Sequence, residues 1–269
     1  MDSVQSIARA ASLLRAIAQS GRGGARLTEL AKASALSKST AHRILGALKQ
    51  VGLVEQSADA GLFHLGVEAF ALGAVAANRH RLADLAQPSM VRLAERTADT
   101  IYLTVRVGLD GLCIERREGS FPIKTLTLEV GGRLPLGVGA GNLAMLAGLS
   151  DDDVARALER TAPQVARYPN LDIGRIRAVV EAARRHGHTF VETLYIPGMS
   201  AVGVAIAGRD GVPIAALSVA AITSRMRAER RANVIAWLKS EARAVEAALN
   251  QTGGDGGLRR AAASRGRGR

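Results

Sequence analysis

The chain of 269 residues contains one cysteine, Cys113. That scarcity excludes an intrachain disulfide framework and any zinc site built from several thiolates. A reducing cytoplasm is the expected setting. A signal-peptide core is also missing, because Arg9 and Arg15 interrupt the apolar residues of the N-terminal stretch. No apolar run is long enough to span a bilayer. The closest candidate, Ser200 to Ile222, is cut by Arg209-Asp210-Gly211 and reads as a hairpin of two buried strands. Acidic residues are in deficit: 24 Asp and Glu stand against 36 Lys and Arg, for a net charge of +12. Such a balance suits a polyanionic partner. Part of the excess lies in the tail GGDGGLRRAAASRGRGR, so the charge says less about the folded part than its total suggests. Residues 250–269 are expected to be a disordered basic tail, able to meet phosphates nonspecifically or simply to remain solvated.

What the chain does have is a dense helical stretch from Leu27 to Val54, LTELAKASALSKSTAHRILGALKQVGLV. It reads as two short helices, a tight turn and a strand. Thr28 is a candidate cap for the first helix, with Leu30, Ala31 and Ala35 inward; Ser37 is a candidate cap for the second. In the second helix Ala41, Ile44, Leu45 and Leu48 recur at i, i+3, i+4 and i+7 and form one apolar stripe. Ser39, Arg43, Gly46 and Gln50 lie opposite, with Thr40 and His42 on the flanks. A face of small polar residues and one arginine suits a helix laid in a DNA major groove. The alternative is an ordinary two-helix corner with a solvated face.

A preceding helix, about Val4 to Ser20, carries Ile7, Ala11, Leu14 and Ala18 along one face and ends at Gly21. After it and the helix pair, two short runs, Leu53–Gln56 and Leu62–Leu65, flank a turn-rich loop and predict a β-hairpin. Three helices and a two-stranded wing define a winged helix-turn-helix over residues 1–65. Residues 66–79 predict an alanine-rich linker helix, whose face of Val67, Phe70, Ala71, Ala74 and Val75 either pairs with a second copy or packs on its own winged domain. A further helix runs to about Thr97, and Pro88 fits only near its start or at a kink. Beyond it, strands are expected at Ile101–Val107, Gly111–Arg117, Lys124–Val130, His188–Thr193, Ala201–Ala207 and Pro213–Val219. Helices are expected near Gly139, at Asp151–Glu159, at Ile173–His186 and at Ala228–Leu249. The fold class is therefore α+β with two domains, the second (80–249) built on an antiparallel sheet in the manner of a sensor domain.

Four motifs, VQSIARAASLLRAIA, LTELAKASALSKSTAHRILGALKQVGLVE, GGRLPLGVGAGNLAMLA and GRDGVPIAALSVAAITSRM, give the chain a resemblance to the IclR (isocitrate lyase regulator) family of bacterial transcription factors over residues 4 to about 249. The resemblance implies an N-terminal winged helix-turn-helix, a linker helix and a C-terminal effector-binding domain of GAF-like fold. It also implies a homodimer or dimer of dimers on operator DNA, responding to a small organic acid or aromatic metabolite. Carried over by position, the DNA-binding residues are Lys38, Ser39, Thr40, His42 and Arg43. The effector-binding residues are Val138, Gly139, Ala140 and Gly141 at the loop-to-helix junction, with Ala201, Ser218 and Ala220 on the facing strands. Two departures thin the charge near that pocket. Leu143 stands where many relatives have lysine, and Val191 to Gly198 retains only Glu192 of an acidic run. A neutral or singly anionic effector is thus favoured over a dicarboxylate.

Catalytic chemistry finds little support. His186, His188 and Glu192 do not share one element, so converging metal ligands are not expected. Cys113, between Leu112 and Ile114, reads as a buried strand thiol. The GVGAG run lacks the ending of a P-loop and the acidic partner of a dinucleotide site; its glycines instead let amides at a helix N-terminus approach a small ligand. No catalytic residue, metal or cofactor is assigned. The competing functions are an enzyme or carrier acting on a small metabolite, and a nonspecific basic DNA-binding protein.

Overall fold

In the computed structural model, which describes residues 2–252, helix α1 (Asp2–Gln19) buries Leu13 and Ile17, with Ala10 and Leu14 beside them. The expected stripe through Ile7, Ala11, Leu14 and Ala18 is displaced, and Ile7 is 71% exposed. Residues 10, 13, 14 and 17 have the same helical spacing, and this stripe brings the larger side chains of Leu13 and Ile17 to the core.

Helix α2 (Leu27–Ala33) begins one residue before Thr28, which therefore sits inside the first turn and does not cap it. The Glu29 carboxylate does that work by accepting from the Arg26 N–H at 2.8 Å. Leu30 and Ala31 are buried. Ala35, expected inward, lies past the helix end, exposed and at φ 52°, where it turns the chain. Helix α3 (Lys38–Gln50) is capped by Ser37, whose Oγ accepts from the Thr40 N–H at 3.2 Å. Ala41, Leu45 and Leu48 are buried and Ile44 is half-buried, so the stripe packs as its spacing demands. Strands β1 (Val54–Gln56) and β2 (Phe63–Leu65) form the antiparallel wing, and Phe63 also bridges to Ala25. Helix α4 (Val67–His80) closes this unit, which ends at Arg79. Its Phe70 is 77% exposed, and Val67, Leu72 and Val75 are exposed as well.

The second unit starts with helix α5 (Leu82–Thr97), which holds Pro88 in its second turn. Strands β3 (Thr100–Val107) and β4 (Asp110–Arg117) follow. After a crossing segment come β5 (Arg133–Pro135), α6 (Ala140–Ala147), α7 (Asp151–Val165) and α8 (Ile173–His186). The chain finishes with β6 (Thr189–Glu192), β7 (Met199–Ala207), β8 (Pro213–Ile222), a 3₁₀ turn and α9 (Ala228–Thr252). The sheet order is β5-β4-β3-β8-β7-β6, every neighbour antiparallel. The expected basic tail lies, from residue 253 onward, outside the described residues.

Alternation along the central strands assigns the two sheet faces. Ile101, Leu103 and Val105 of β3, Leu217 and Val219 of β8, and Val202 and Val204 of β7 join one core with α5 and α9. The other face of the same strands presents Thr104, Ala216, Ser218, Gly203 and Ala201, and α6 to α8 cover part of it. The strand expected over Lys124–Val130 is not formed. The edge of β4 is taken by β5, with Leu112 opposite Arg133, so the segment crosses the sheet face and is tied down by side chains. The Thr125 N–H donates to Thr100 Oγ1 at 3.3 Å, and Thr125 Oγ1 donates to the Ala220 carbonyl at 2.8 Å. The Tyr102 hydroxyl donates to the Thr125 carbonyl and accepts from the Thr127 N–H at 3.1 Å. Near its start this strap is held by Gly119 N–H on the Asp99 carbonyl (2.9 Å), and Arg225 stacks over Phe121. The buried Asp99 carboxylate in turn receives Arg225 at 2.8 Å and Arg230 at 2.6 Å.

Helices α5 and α9 are joined by Arg92 and Glu241, with Nε–Oε1 at 2.9 Å and Nη2–Oε2 at 2.6 Å. The guanidinium of Arg92 holds the Glu241 carboxyl below its ordinary value of 4.5. A depressed carboxylate contributes stability that is full above its unfolded pKa and fades as pH falls through the lower folded value. Glu241→Gln should therefore cost about 1–2 kcal/mol at pH 7, reduced from a fully buried charged hydrogen bond because Arg92 is partly exposed. Thermal melts from pH 7 to pH 3 should show the gap between variant and parent closing on the acid side of about 4.5; a gap that stays constant would contradict it.

Candidate functional site

Two clusters of the expected residues emerge, one in each unit. On α3, Lys38, Ser39, His42 and Arg43 are exposed together, while Thr40 is half-buried and turned into the cap. Ser37 Oγ lies 3.1 Å from Ser39 Oγ and donates to Thr40 Oγ1 at 2.8 Å. Hydroxyls, a lysine and the positive end of the helix dipole thus collect at the start of α3, an arrangement chemically suited to an anion. Arg43, Gly46 and Gln50 continue the same exposed face, with no bulky side chain at Gly46 to hold the helix away from a base edge. The wing is braced by Lys49 Nζ donating to Gln56 Oε1 at 2.9 Å and Gln56 Nε2 donating to the Gly61 carbonyl at 3.1 Å.

In the second unit, Val138, Gly139, Ala140, Gly141, Ala201, Ser218 and Ala220 all line one cavity of about 620 Å³, its open mouth included. The glycines there have specific geometric duties. Gly139 takes φ 86° at the N-cap of α6, and no side chain caps that helix, so its first-turn N–H groups have no intrahelical partner. Gly203 lets α6 rest on the backbone of β7, since a Cβ there would stand 2.4 Å from the Ala140 carbonyl carbon. Thr189 Oγ1 pins the same junction by donating to the Ala140 carbonyl at 2.7 Å. A Cβ at Gly141 would stand 3.2 Å from Thr104 Oγ1 and 3.5 Å from Ser218 Oγ, so both hydroxyls lie against the first turn of α6.

Sequence reasoning missed much of the rest of the wall. Tyr102 and Thr104 come from β3, Thr125, Thr127 and Leu128 from the strap, Leu194 and Tyr195 from the turn before β7, and Met199 from the start of that strand. The β3 contribution had a readable signal, because Thr100, Tyr102 and Thr104 alternate with Ile101, Leu103 and Val105. Among the described residues, no acidic or basic side chain lines the cavity. Leu143 is buried in the core and Glu192 is exposed, so neither substitutes for the charges absent from the wall. Thr104 Oγ1 is buried without a hydrogen-bond partner. Burial pushes the Tyr195 phenol up to about 12 and raises that of Tyr102, so both remain donors at neutral pH. The Tyr195 hydroxyl donates to the Thr127 carbonyl at 3.3 Å, and its ring meets Tyr168 edge-on at 5.4 Å.

None of the reactive-looking groups considered from sequence lines the cavity, although Cys113 packs behind Tyr102 and Ala220 of its wall. Burial pushes the Cys113 thiol up to about 12, and its Sγ is directed at the Glu115 carbonyl. His188 Nδ1 lies 3.1 Å from the His186 carbonyl oxygen, and the two rings are 6.1 Å apart. Among the described residues, no three His, Cys, Asp or Glu side chains converge as metal ligands, and no helix is long and apolar enough to cross a membrane.

Comparison with known proteins gives these two clusters a common setting. A model of the IclR helix-turn-helix domain matches residues 6–58, and a model of the C-terminal domain of bacterial IclR transcriptional regulators matches residues 74–247. The chain belongs to the IclR family. It is 27% identical over 230 residues to the transcriptional repressor IclR of Escherichia coli K12, covering 84% of this chain and 83% of that one. With the acetate operon repressor of Salmonella typhimurium LT2 it shares 28% identity over 252 residues, 93% of this chain and 91% of the relative. An IclR homologue of Microbacterium hydrocarbonoxydans, solved in complex with 4-hydroxybenzoate, superposes with a TM-score of 0.73 at 26% identity, covering 92% of this chain and all (100%) of that one. The protein is accordingly a DNA-binding transcriptional regulator with a C-terminal effector domain, not an enzyme.

Proposed function

We propose that this IclR-family regulator acts as a cytoplasmic repressor that lays α3 in the operator major groove and senses a small monocarboxylate with an aromatic or apolar body. Repression follows the named activity of its relatives. For DNA, Arg43 is the base-reading residue, with Ser39 and His42 beside it and Lys38 and Thr40 near the phosphates. For the effector, one observation carries the reading. The buried, unpartnered Thr104 hydroxyl sits with Ser218 at the uncapped first turn of α6, in a wall without charged side chains. Amides and two hydroxyls suffice for one carboxylate. A second carboxylate would be desolvated against Leu128, Leu134, Val138 and Val191 with no cation to meet it. The 4-hydroxybenzoate bound by the Microbacterium relative belongs to this chemical class. The exposed row Val67, Phe70 and Val75 on α4 is the candidate contact for a second copy, since an operator is read by paired half-sites.

Three measurements test these assignments. Arg43→Ala should weaken operator binding by about 1–3 kcal/mol in gel-shift titrations at fixed salt, and an unchanged preference for operator over random DNA would remove it from the base-reading set. Thr104→Val keeps the side-chain shape and deletes the unpartnered hydroxyl. The free protein should melt no lower than the parent, while titration with 4-hydroxybenzoate should lose about 1.5–3 kcal/mol, the range for a hydrogen bond to a charged group. Equal affinity in the two proteins would place the carboxylate elsewhere. Light scattering should report a dimer or larger for the parent and a shift toward monomer for Phe70→Glu; a monomeric parent at micromolar concentration would defeat the pairing assignment.

A further inference from the structure

The turn between β6 and β7, residues 193–198, is built unlike the other connections around the cavity. It enters through Thr193 at φ 51° and leaves through Gly198 at φ 75°. Glycine takes that conformation freely, whereas a β-branched residue there is an outlier held in place by its surroundings. The bonds that hold it include the Thr193 N–H on the Met199 carbonyl at 2.8 Å, the Met199 N–H on the Ile196 carbonyl at 3.2 Å, Asn170 Nδ2 on the Thr193 carbonyl at 3.3 Å, Thr193 Oγ1 on the Glu192 carbonyl at 2.8 Å, and the Thr223 N–H on the Gly198 carbonyl at 2.8 Å. Between the two left-handed residues, Leu194, Tyr195 and Ile196 all face the cavity. The hydrogen bond from this turn to the opposite rim is the one from the Tyr195 hydroxyl to the Thr127 carbonyl of the strap, and Tyr168 backs the ring.

Strand register gives the distance from the carboxylate seat. Gly203 lies opposite Ser218 and Met199 opposite Ile222, so the turn begins four residues along β7 from the seat. At a rise of about 3.3 Å per residue this is roughly 13 Å. We propose that residues 193–198 are the gate of the pocket, with Tyr195 as both its latch and the residue that limits effector length. The inference rests on the effector site proposed above. Strain at Thr193 favours opening, the Tyr195 hydrogen bond favours closure, and the two are balanced so that a ligand shifts the turn by touching Tyr195. On this reading the closed latch sets how far an effector can extend from the seat, so an acid longer than a single-ring carboxylate must displace it.

The test uses the full-length protein and begins without any ligand. Amide hydrogen exchange is followed at Thr193 and Met199, with α9 as internal reference. Tyr195→Phe removes only the latch hydroxyl and should speed exchange of the turn by about two- to tenfold. Thr193→Asn places a residue that tolerates the left-handed region and should slow it by about twofold or more. Exchange unaltered in both variants, or faster in Thr193→Asn, overturns the gate. The length function is read by calorimetric titration with benzoate and biphenyl-4-carboxylate. Tyr195→Ala should raise the affinity ratio of the longer acid to the shorter by about tenfold, the scale of one displaced aromatic contact; an unchanged ratio overturns that role. If neither acid binds the parent, the monocarboxylate reading fails, and the exchange measurements still decide whether the turn opens as described.

Discussion

Everything in the C-terminal unit depends on the unequal size of side chains on the two faces of strands β7 and β8. One face is dominated by Val, Leu and Ile, and it packs against α5 and α9 in a single buried core. The other face carries Ala201, Gly203, Ala216, Ser218 and Ala220. Small residues there allow α6 to lie directly on the strand backbone at Gly203, and beyond the helix they leave a gap that no side chain fills. Cavity and helix N-terminus are thus products of the same substitution pattern. A larger residue anywhere along that row would meet either the helix or the ligand space, so the sheet tolerates bulk on one side only.

The N-terminal unit works by a different economy of local signals. Its core is small, and its recognition helix is fixed at its start by the Ser37 cap and along its length by Ala41, Leu45 and Leu48. Both determinants lie within the helix and its cap, so the exposed face of Arg43, Gly46 and Gln50 is set by the first unit's own core. The polar cluster at the helix start is likewise held by the cap itself, through Ser37, Ser39 and Thr40.

The difference between local and distant determinants also explains what was legible in the sequence. The α3 stripe, the Ser37 cap, the strands β7 and β8, and the glycine-rich entry to α6 were readable because spacing alone defines them. The register of α1 was not, since two stripes of equal periodicity compete and only the packing partner chooses between them. At Lys124–Val130 the alternation of Thr125 and Thr127 with Leu126 and Leu128 is that of a strand, but the segment's bonds go to Thr100, Tyr102 and Ala220 across the sheet face and not to a strand edge. Thr28 looked like a cap by residue type, but the cap position is two residues upstream, at Arg26, whose N–H the Glu29 carboxylate receives. Of the cavity wall, the seven residues on α6, its preceding loop and the facing strands came from motif position, whereas Tyr195 and the strap threonines arrive by long-range closure that periodicity does not encode.

The strap's far end leads to Cys113. Its N–H donates to the Gly132 carbonyl at 2.9 Å and its carbonyl accepts from the Gly131 N–H at 2.8 Å, while Leu128 packs over the cluster it forms with Tyr102 and Ala220. The sole thiol of the chain is therefore sealed beneath the segment that roofs the cavity, protonated and without access to water. A thiol-directed reagent reaches it only while that roof is lifted. The molecule carries its own clock: the rate at which this one sulfur is modified counts the openings of the roof, with no label added elsewhere.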